Sequence, residues 1–153
     1  MNKGILTALL TIGLAQFLKI PIKKTRTGKW DWGTFFETGG MPSSHSAGVS
    51  SLATFIALKR GMPTIDFALS TVFGLIVMYD AQGIRRQSGE LTIKVNELDE
   101  QIERLAGQED HHYHDLKEKK LKERLGHQPQ EVIGGALFGM LTGTIAHFLT
   151  KKS

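Results

Sequence analysis

The sequence predicts an all-α, polytopic membrane protein: a bundle of about four membrane helices that carries a helical cytoplasmic loop. Three observations point there. The apolar residues gather in four segments almost free of charge, whereas the interval from Arg85 to Arg124 holds 9 basic and 10 acidic side chains. The first and last apolar segments lack the charged face that a helix on the surface of a soluble protein presents to water. And 153 residues are too few to surround four such segments with solvent-facing structure.

The first segment, about 4–20, is interrupted only by Thr7, Thr11 and Gln16 before it reaches Lys19. It resembles a signal peptide at its start, but it runs on into Pro21, Lys23, Lys24 and Arg26 without an Ala-x-Ala-like exit, which predicts a retained helix. The second segment, about 43–58, is short for the roughly 20 residues a span needs. Its small residues, Ala47, Gly48, Ser50, Ser51, Ala53 and Ala57, suit a helix enclosed by neighbours. The third, about 64–80, carries one charge near its edge at Asp66. The fourth, about 131–149, sets Gly135, Gly139 and Gly143 at steps of four, a small-x-x-x-small face that lets backbones approach closely in lipid.

Four spans within a single membrane domain place the loop Lys19 to Pro42 and the loop Ala81 to Glu131 on one side. Both termini and the turn Lys59 to Pro63 then lie on the other. Lys19, Lys23, Lys24, Arg26 and Lys29 in the first loop, with Arg85 and Arg86 in the second, assign that side to the cytoplasm of a bacterial cell membrane, although Lys59, Arg60, Lys151 and Lys152 pull the other way. The polar insertion, about 85–125, has its own order. Leu91, Val95, Leu98, Ile102 and Leu105 alternate at steps of four and three, a heptad-like stripe that either folds a helical hairpin onto itself or the bundle, or joins two copies as a homodimer. The chain has no cysteine, so disulfide and thiolate chemistry are excluded, and a net charge of +4 is too small to indicate a nucleic-acid partner.

Three polar clusters stand where helices meet these loops. Gly39-Gly40-Met41-Pro42-Ser43-Ser44-His45-Ser46 precedes the second helix, where serine caps free amides, proline fits the first turn and the amides attract anions. His45 can exchange a proton near neutral pH. Asp80, Arg85 and Arg86 end the third helix; an arginine fork suits phosphate oxygens, and Asp80 can orient or neutralise one of the pair. His127 precedes the fourth helix, and Glu131 follows it by four residues, close enough for the carboxylate to fix the ring's tautomer. The topology puts all three clusters on one membrane face.

At these residues the sequence resembles the type-2 phosphatidic acid phosphatases, relatives of bacterial acid phosphatases and vanadium-dependent haloperoxidases, and in particular their small divergent membrane branch. Gly40-Met41-Pro42-Ser43-Ser44-His45-Ser46, Asp80 with Gly83, Arg85, Arg86 and Gly89, and Gly126-His127 with Pro129, Glu131, Val132 and Gly135 carry the resemblance over nearly the whole chain. It implies hydrolysis of a lipid phosphate or related phosphomonoester without a cofactor or metal. His127 would be the nucleophile that forms a phosphohistidine, His45 the general acid and Glu131 the orienting carboxylate. Ser43, Ser44, Arg85, Arg86, Lys19 and Lys23 would bind phosphate, with Asp80 in support.

The pattern departs from that of the active phosphatases in four places. Ser44 replaces a glycine of Pro-Ser-Gly-His, Glu131 replaces an aspartate, Leu121 falls where an arginine is expected, and no Lys-x6-Arg-Pro motif occurs. An inactive structural or lipid-binding protein that keeps the fold is therefore the competing reading. A transporter lacks an inverted repeat to support it. A zinc site at His111, His112 and His114 has only solvated histidines to offer.

Overall fold

The computed structural model describes residues 2–37, 39–106 and 126–151, with the backbone alone at Arg85, Glu103 and Ala106. His111, His112, His114 and the latter part of the polar insertion lie outside the described residues. Helix α1, Lys3–Thr27, begins at Asn2, whose side-chain oxygen accepts from the Gly4 amide at 2.9 Å, and ends at Gly28 in the left-handed region with φ 73°. Its 25 residues extend about 37 Å. That exceeds a hydrocarbon layer of about 30 Å, so the last turns, with Lys23, Lys24 and Arg26, reach the headgroup level. A short 3-10 turn follows at Trp32–Phe36. Then come α2, Ser44–Arg60, and α3, Ile65–Gln82, capped by Ser43 and Thr64. Helix α4, Ile84–Ala106, continues after the single residue Gly83, and α5, Pro129–Lys151, closes the bundle.

The helices α1 and α3 run toward one face and α2 and α5 start from it. Two backbone hydrogen bonds fasten that face: the Ser43 amide donates to the Glu131 carbonyl at 3.0 Å, and the His127 amide to the Ala81 carbonyl at 3.1 Å. At the opposite face the Lys3 ammonium donates to the Thr150 carbonyl at 3.4 Å. Helix α2 is central, packed by α1, α3 and α5, with Ser46, Ala47, Gly48, Ser51 and Phe55 buried. Its 17 residues span only about 25 Å.

The tightest seam joins α2 and α5, which run parallel. A methyl group added at Gly135 would strike the carbonyl oxygen of Ser43; at Gly139 that of Ala47; at Gly143 that of Ser51. Each step of four on one helix meets a step of four on the other. Packing of backbone on backbone replaces side-chain interdigitation, as expected where lipid supplies no hydrophobic drive between helices. The Thr11 hydroxyl adds a cross-helix hydrogen bond to Thr142 at 3.0 Å.

Outside this core the helices are coated with exposed apolar groups. Leu9, Leu10 and Phe17 on α1, Leu69, Phe73 and Ile76 on α3, and Ile133, Leu137 and Leu141 on α5 are all more than half exposed. A continuous belt of that kind is unfavourable in water and natural in lipid. Among the described residues three helices are long and apolar enough to cross a membrane: α1, the stretch beginning at Ile65, and α5. The chain is thus an all-α, multi-pass membrane protein, and α2 is the helix that falls short of that length.

Candidate active site

Three chain segments far apart in sequence meet at the face where α2 and α5 begin. The cis Met41–Pro42 peptide and Gly40, with φ 85°, deliver the chain to Ser43, which is fully buried. The Ser43 hydroxyl oxygen accepts from the Ser46 hydroxyl at 3.1 Å and from the Ser46 amide at 3.4 Å, which closes the first turn of α2. Ser44 is buried beside it, and His45 follows half-buried. Met41 lies over Gly134, fixing the approach of this loop to α5.

His127 is 2 % exposed, held just before α5 by its amide bond to Ala81. Its Nδ1 pairs with a Glu131 carboxylate oxygen at 3.0 Å, and the same oxygen accepts the Gln128 amide at 3.1 Å. Pro129 at the first helical position makes this geometry possible. It needs no amide partner there, and the first turn swings Glu131 back under the imidazole. With Nδ1 committed to the carboxylate as an N–H donor, Nε2 is the basic and nucleophilic nitrogen. The His45 ring stands against that of His127 at 5.7 Å between centroids, edge to face at 69°.

A cavity of about 250 Å³ opens next to the His127–Glu131 pair, lined by Gly39, Gly40, Arg86, Gly126, Gln128 and Glu131 but by neither imidazole ring. Arg86 reaches it from the first turn of α4 and donates from Nε to Glu90 at 3.0 Å. The side chain of Arg85 is outside the described part of the structure. Lys19 comes from α1 with its stem behind Gly40 and only 2 % of its surface exposed. Its ammonium makes no hydrogen bond among the described residues, and its electrostatic neighbours are Glu131 and Glu37. Lys23, one turn on, points elsewhere: it bridges Asp31 at 2.9 Å and Glu37 at 2.7 Å and ties the following loop to α1. Its hydrogen bond, with a further one from the Gly33 amide, holds the Asp31 carboxyl below the usual carboxylate range. Asp80 lies half-buried on the last turn of α3.

The sequence-expected residues His45, His127, Glu131, Ser43, Ser44, Lys19 and Arg86 therefore converge, whereas the Lys23 ammonium is engaged in the loop. Gln128, whose backbone amide shares Glu131 with His127, and Gly39, which lines the cavity, fall within the clusters read from the sequence but were given no role there. The signal for Gln128 was available, because an i to i+3 carboxylate at a helix start is the usual acceptor for such an amide.

Chemically, the arrangement gathers at one end of the bundle an imidazole held by a carboxylate, a second imidazole against it, a buried lysine and two helix N-termini, with the small cavity on the Glu131 side of the group. Each N-terminus adds about half a positive charge. The class so defined is a multi-pass membrane helix bundle with a buried histidine–carboxylate pair at one end. The chain belongs to the Divergent PAP2 family, whose profile matches residues 1–142. It is similar to the uncharacterized membrane protein YuiD of Bacillus subtilis (strain 168), 42 % identical over 151 residues that cover 96 % of each chain. No solved structure matches it. The family and the apolar helices together make it a bacterial membrane protein linked to the PAP2-type phosphatases.

Proposed function

We propose that the protein is a membrane phosphatase that removes phosphate from a lipid phosphomonoester by way of a phosphohistidine. The observation that carries this reading is the buried His127 with Nδ1 held by Glu131 at 3.0 Å and the His45 ring beside it. In the first half-reaction His127 Nε2 attacks phosphorus and a P–N bond forms. The P–O bond to the alcohol breaks, and protonated His45 gives its proton to the departing alkoxide. In the second, His45 takes a proton from water, the water oxygen attacks phosphorus, and the P–N bond breaks to release inorganic phosphate and restore His127. The Glu131 carboxylate stabilises the charge that the His127 ring acquires in both steps.

Lys19, Arg86 and the first-turn amides of α2 supply the counter-charge for the phosphoryl oxygens, with Ser43 and Ser44 shaping that turn. The buried ammonium of Lys19 is the strongest support for an anion ligand, because a buried charge is costly until it is paired. Arg85 remains a candidate for the same task, with Asp80 in support. A lipid substrate fits a cavity at the membrane boundary, where the headgroup enters while the chains stay in the bilayer. In this reading α2 is a fourth, enclosed crossing and the site faces the cytoplasm.

The test is phosphate release by the purified full-length protein in vesicles that contain phosphatidic acid or another lipid phosphomonoester. The expected result is turnover by the native chain and none by His127→Ala, with helical content and gel-filtration behaviour unchanged. Turnover by the variant equal to that of the native chain, or a native chain inert on every lipid phosphomonoester offered, would overturn the proposal.

A further inference from the structure

Among the described residues, nothing covers the apolar side of helix α4. The Gly83 amide bonds back to the Tyr79 carbonyl at 2.8 Å and the Gln87 amide bonds back to the Gly83 carbonyl at 3.0 Å. The four-residue step therefore passes through Gly83, and helical chain continues from Ile65 to Ile102 over 38 residues. That is about 57 Å, nearly twice a bilayer core of about 30 Å, so the distal half of this helix stands outside the membrane. Among the described elements its substantial packing is against α3. Yet Leu91, Val95, Leu98, Ile102 and Leu105 lie on one face and are 62, 50, 56, 48 and 87 % exposed.

The pattern on that face is selective. Leu91, Leu98 and Leu105 recur at intervals of seven, as do Val95 and Ile102 between them. Leucine at d with β-branched residues at a is the combination that favours two parallel strands. In the same register Lys94 occupies a g position and Asp99 the following e position. In a parallel pair Lys94 thus faces Asp99 of the partner subunit, twice by symmetry. Two copies inserted in one membrane with the same topology also send α4 out of the same face, and a two-fold axis along the membrane normal makes the emerging helices parallel. The helix is a poor match for an anionic lipid surface, since Glu90, Glu97, Asp99, Glu100 and Glu103 outnumber Arg85, Arg86, Lys94 and Arg104.

We propose that α4 joins two copies of this chain as a parallel, in-register two-stranded coiled coil. A stripe of just over two heptads, Leu91 to Leu105, is marginal for free peptides in water, but anchoring both helices in one bilayer raises their effective concentration. Arg86 lies at the base of the same helix and lines the cavity, so the pairing would also brace one wall of the site.

The chain has no cysteine, which makes a direct test available. Leu91→Cys, Leu105→Cys and Glu100→Cys are prepared separately in the full-length protein, placed in vesicles and oxidised mildly. The proposal expects disulfide-linked dimers from both Leu91→Cys and Leu105→Cys, and at least ten-fold less from Glu100→Cys on the outer face. Only a parallel, in-register pair brings both end positions against their own copies; an antiparallel pair can do so at one point along its length. Lys94→Glu should reduce dimer yield, and Lys94→Glu combined with Asp99→Lys should restore it. Monomer at both leucine positions, the result expected if residues 107–125 of the same chain or the lipid surface cover the stripe, would overturn the proposal. So would equal yields at all three positions.

Discussion

Glu131 gives the sharpest test of how the site is built, because one of its oxygens serves both His127 Nδ1 at 3.0 Å and the Gln128 amide at 3.1 Å. Glu131→Gln keeps the length and shape of the side chain, and its amide oxygen can still accept both bonds, but the charge is gone. A hydrogen bond to a charged group contributes about 1.5–3 kcal/mol and a neutral one about 0.5–1.5 kcal/mol. The deficit of about 1–2 kcal/mol falls when the imidazole gains positive charge in the transition state, so turnover should drop about 5- to 30-fold. Glu131→Ala removes the acceptor altogether and leaves the buried His127 Nδ1 donor unpartnered, while the exposed Gln128 amide can turn to water. The loss should then approach about 3 kcal/mol, or about 100-fold. The assay is initial phosphate release from phosphatidic acid in vesicles, with quantities of folded protein matched by gel filtration. If both variants stay within two-fold of the native rate, the carboxylate does not act through His127 and the proposed division of labour fails.

Two further outcomes follow from the same geometry. Lys19→Met exchanges a buried ammonium for an apolar chain of similar volume, so thermal stability in detergent should rise, by about 1–4 kcal/mol on the precedent of buried ion replacements, while phosphate release falls; a variant less stable than the native protein would show that Lys19 is paired for structural reasons. Gly139→Leu should lower the unfolding temperature sharply, since its Cβ alone would strike the Ala47 carbonyl oxygen, whereas Gly13→Ala, which has nothing within 4 Å, should be neutral or mildly stabilising. Equal effects of the two substitutions would show that the glycine seam is not the tight contact described.

The fold class was legible because lipid imposes a plain pattern. Exposed leucine and phenylalanine on α1, α3 and α5 read as apolar runs, and the glycines at 135, 139 and 143 mark where backbone meets backbone. The central place of α2 could be anticipated from its small residues, but not which helix lies against it in parallel; that pairing depends on the match between Gly135 and the Ser43 carbonyl, which no local pattern encodes. At the candidate site, the i to i+4 spacing of His127 and Glu131 and the helix-start proline revealed one local pair. The approach of His45 required topology as well as sequence. Lys19 and Lys23 were indistinguishable as basic residues on one helix. Only the loop's fold separates them, by bringing Asp31 and Glu37 to Lys23 and leaving Lys19 enclosed behind Gly40.

The parallel seam between α2 and α5 also bears on biosynthesis. Synthesis proceeds at roughly 5–20 residues per second, so α2 must wait for several seconds before the glycine ridge that completes its packing leaves the ribosome. Throughout that wait it has only α1 and then α3 to cover its serines. The imidazoles of His45 and His127, carried at the starts of the two helices of this delayed union, cannot face each other until the final helix has been inserted, so on the proposed function a half-made chain has no assembled site.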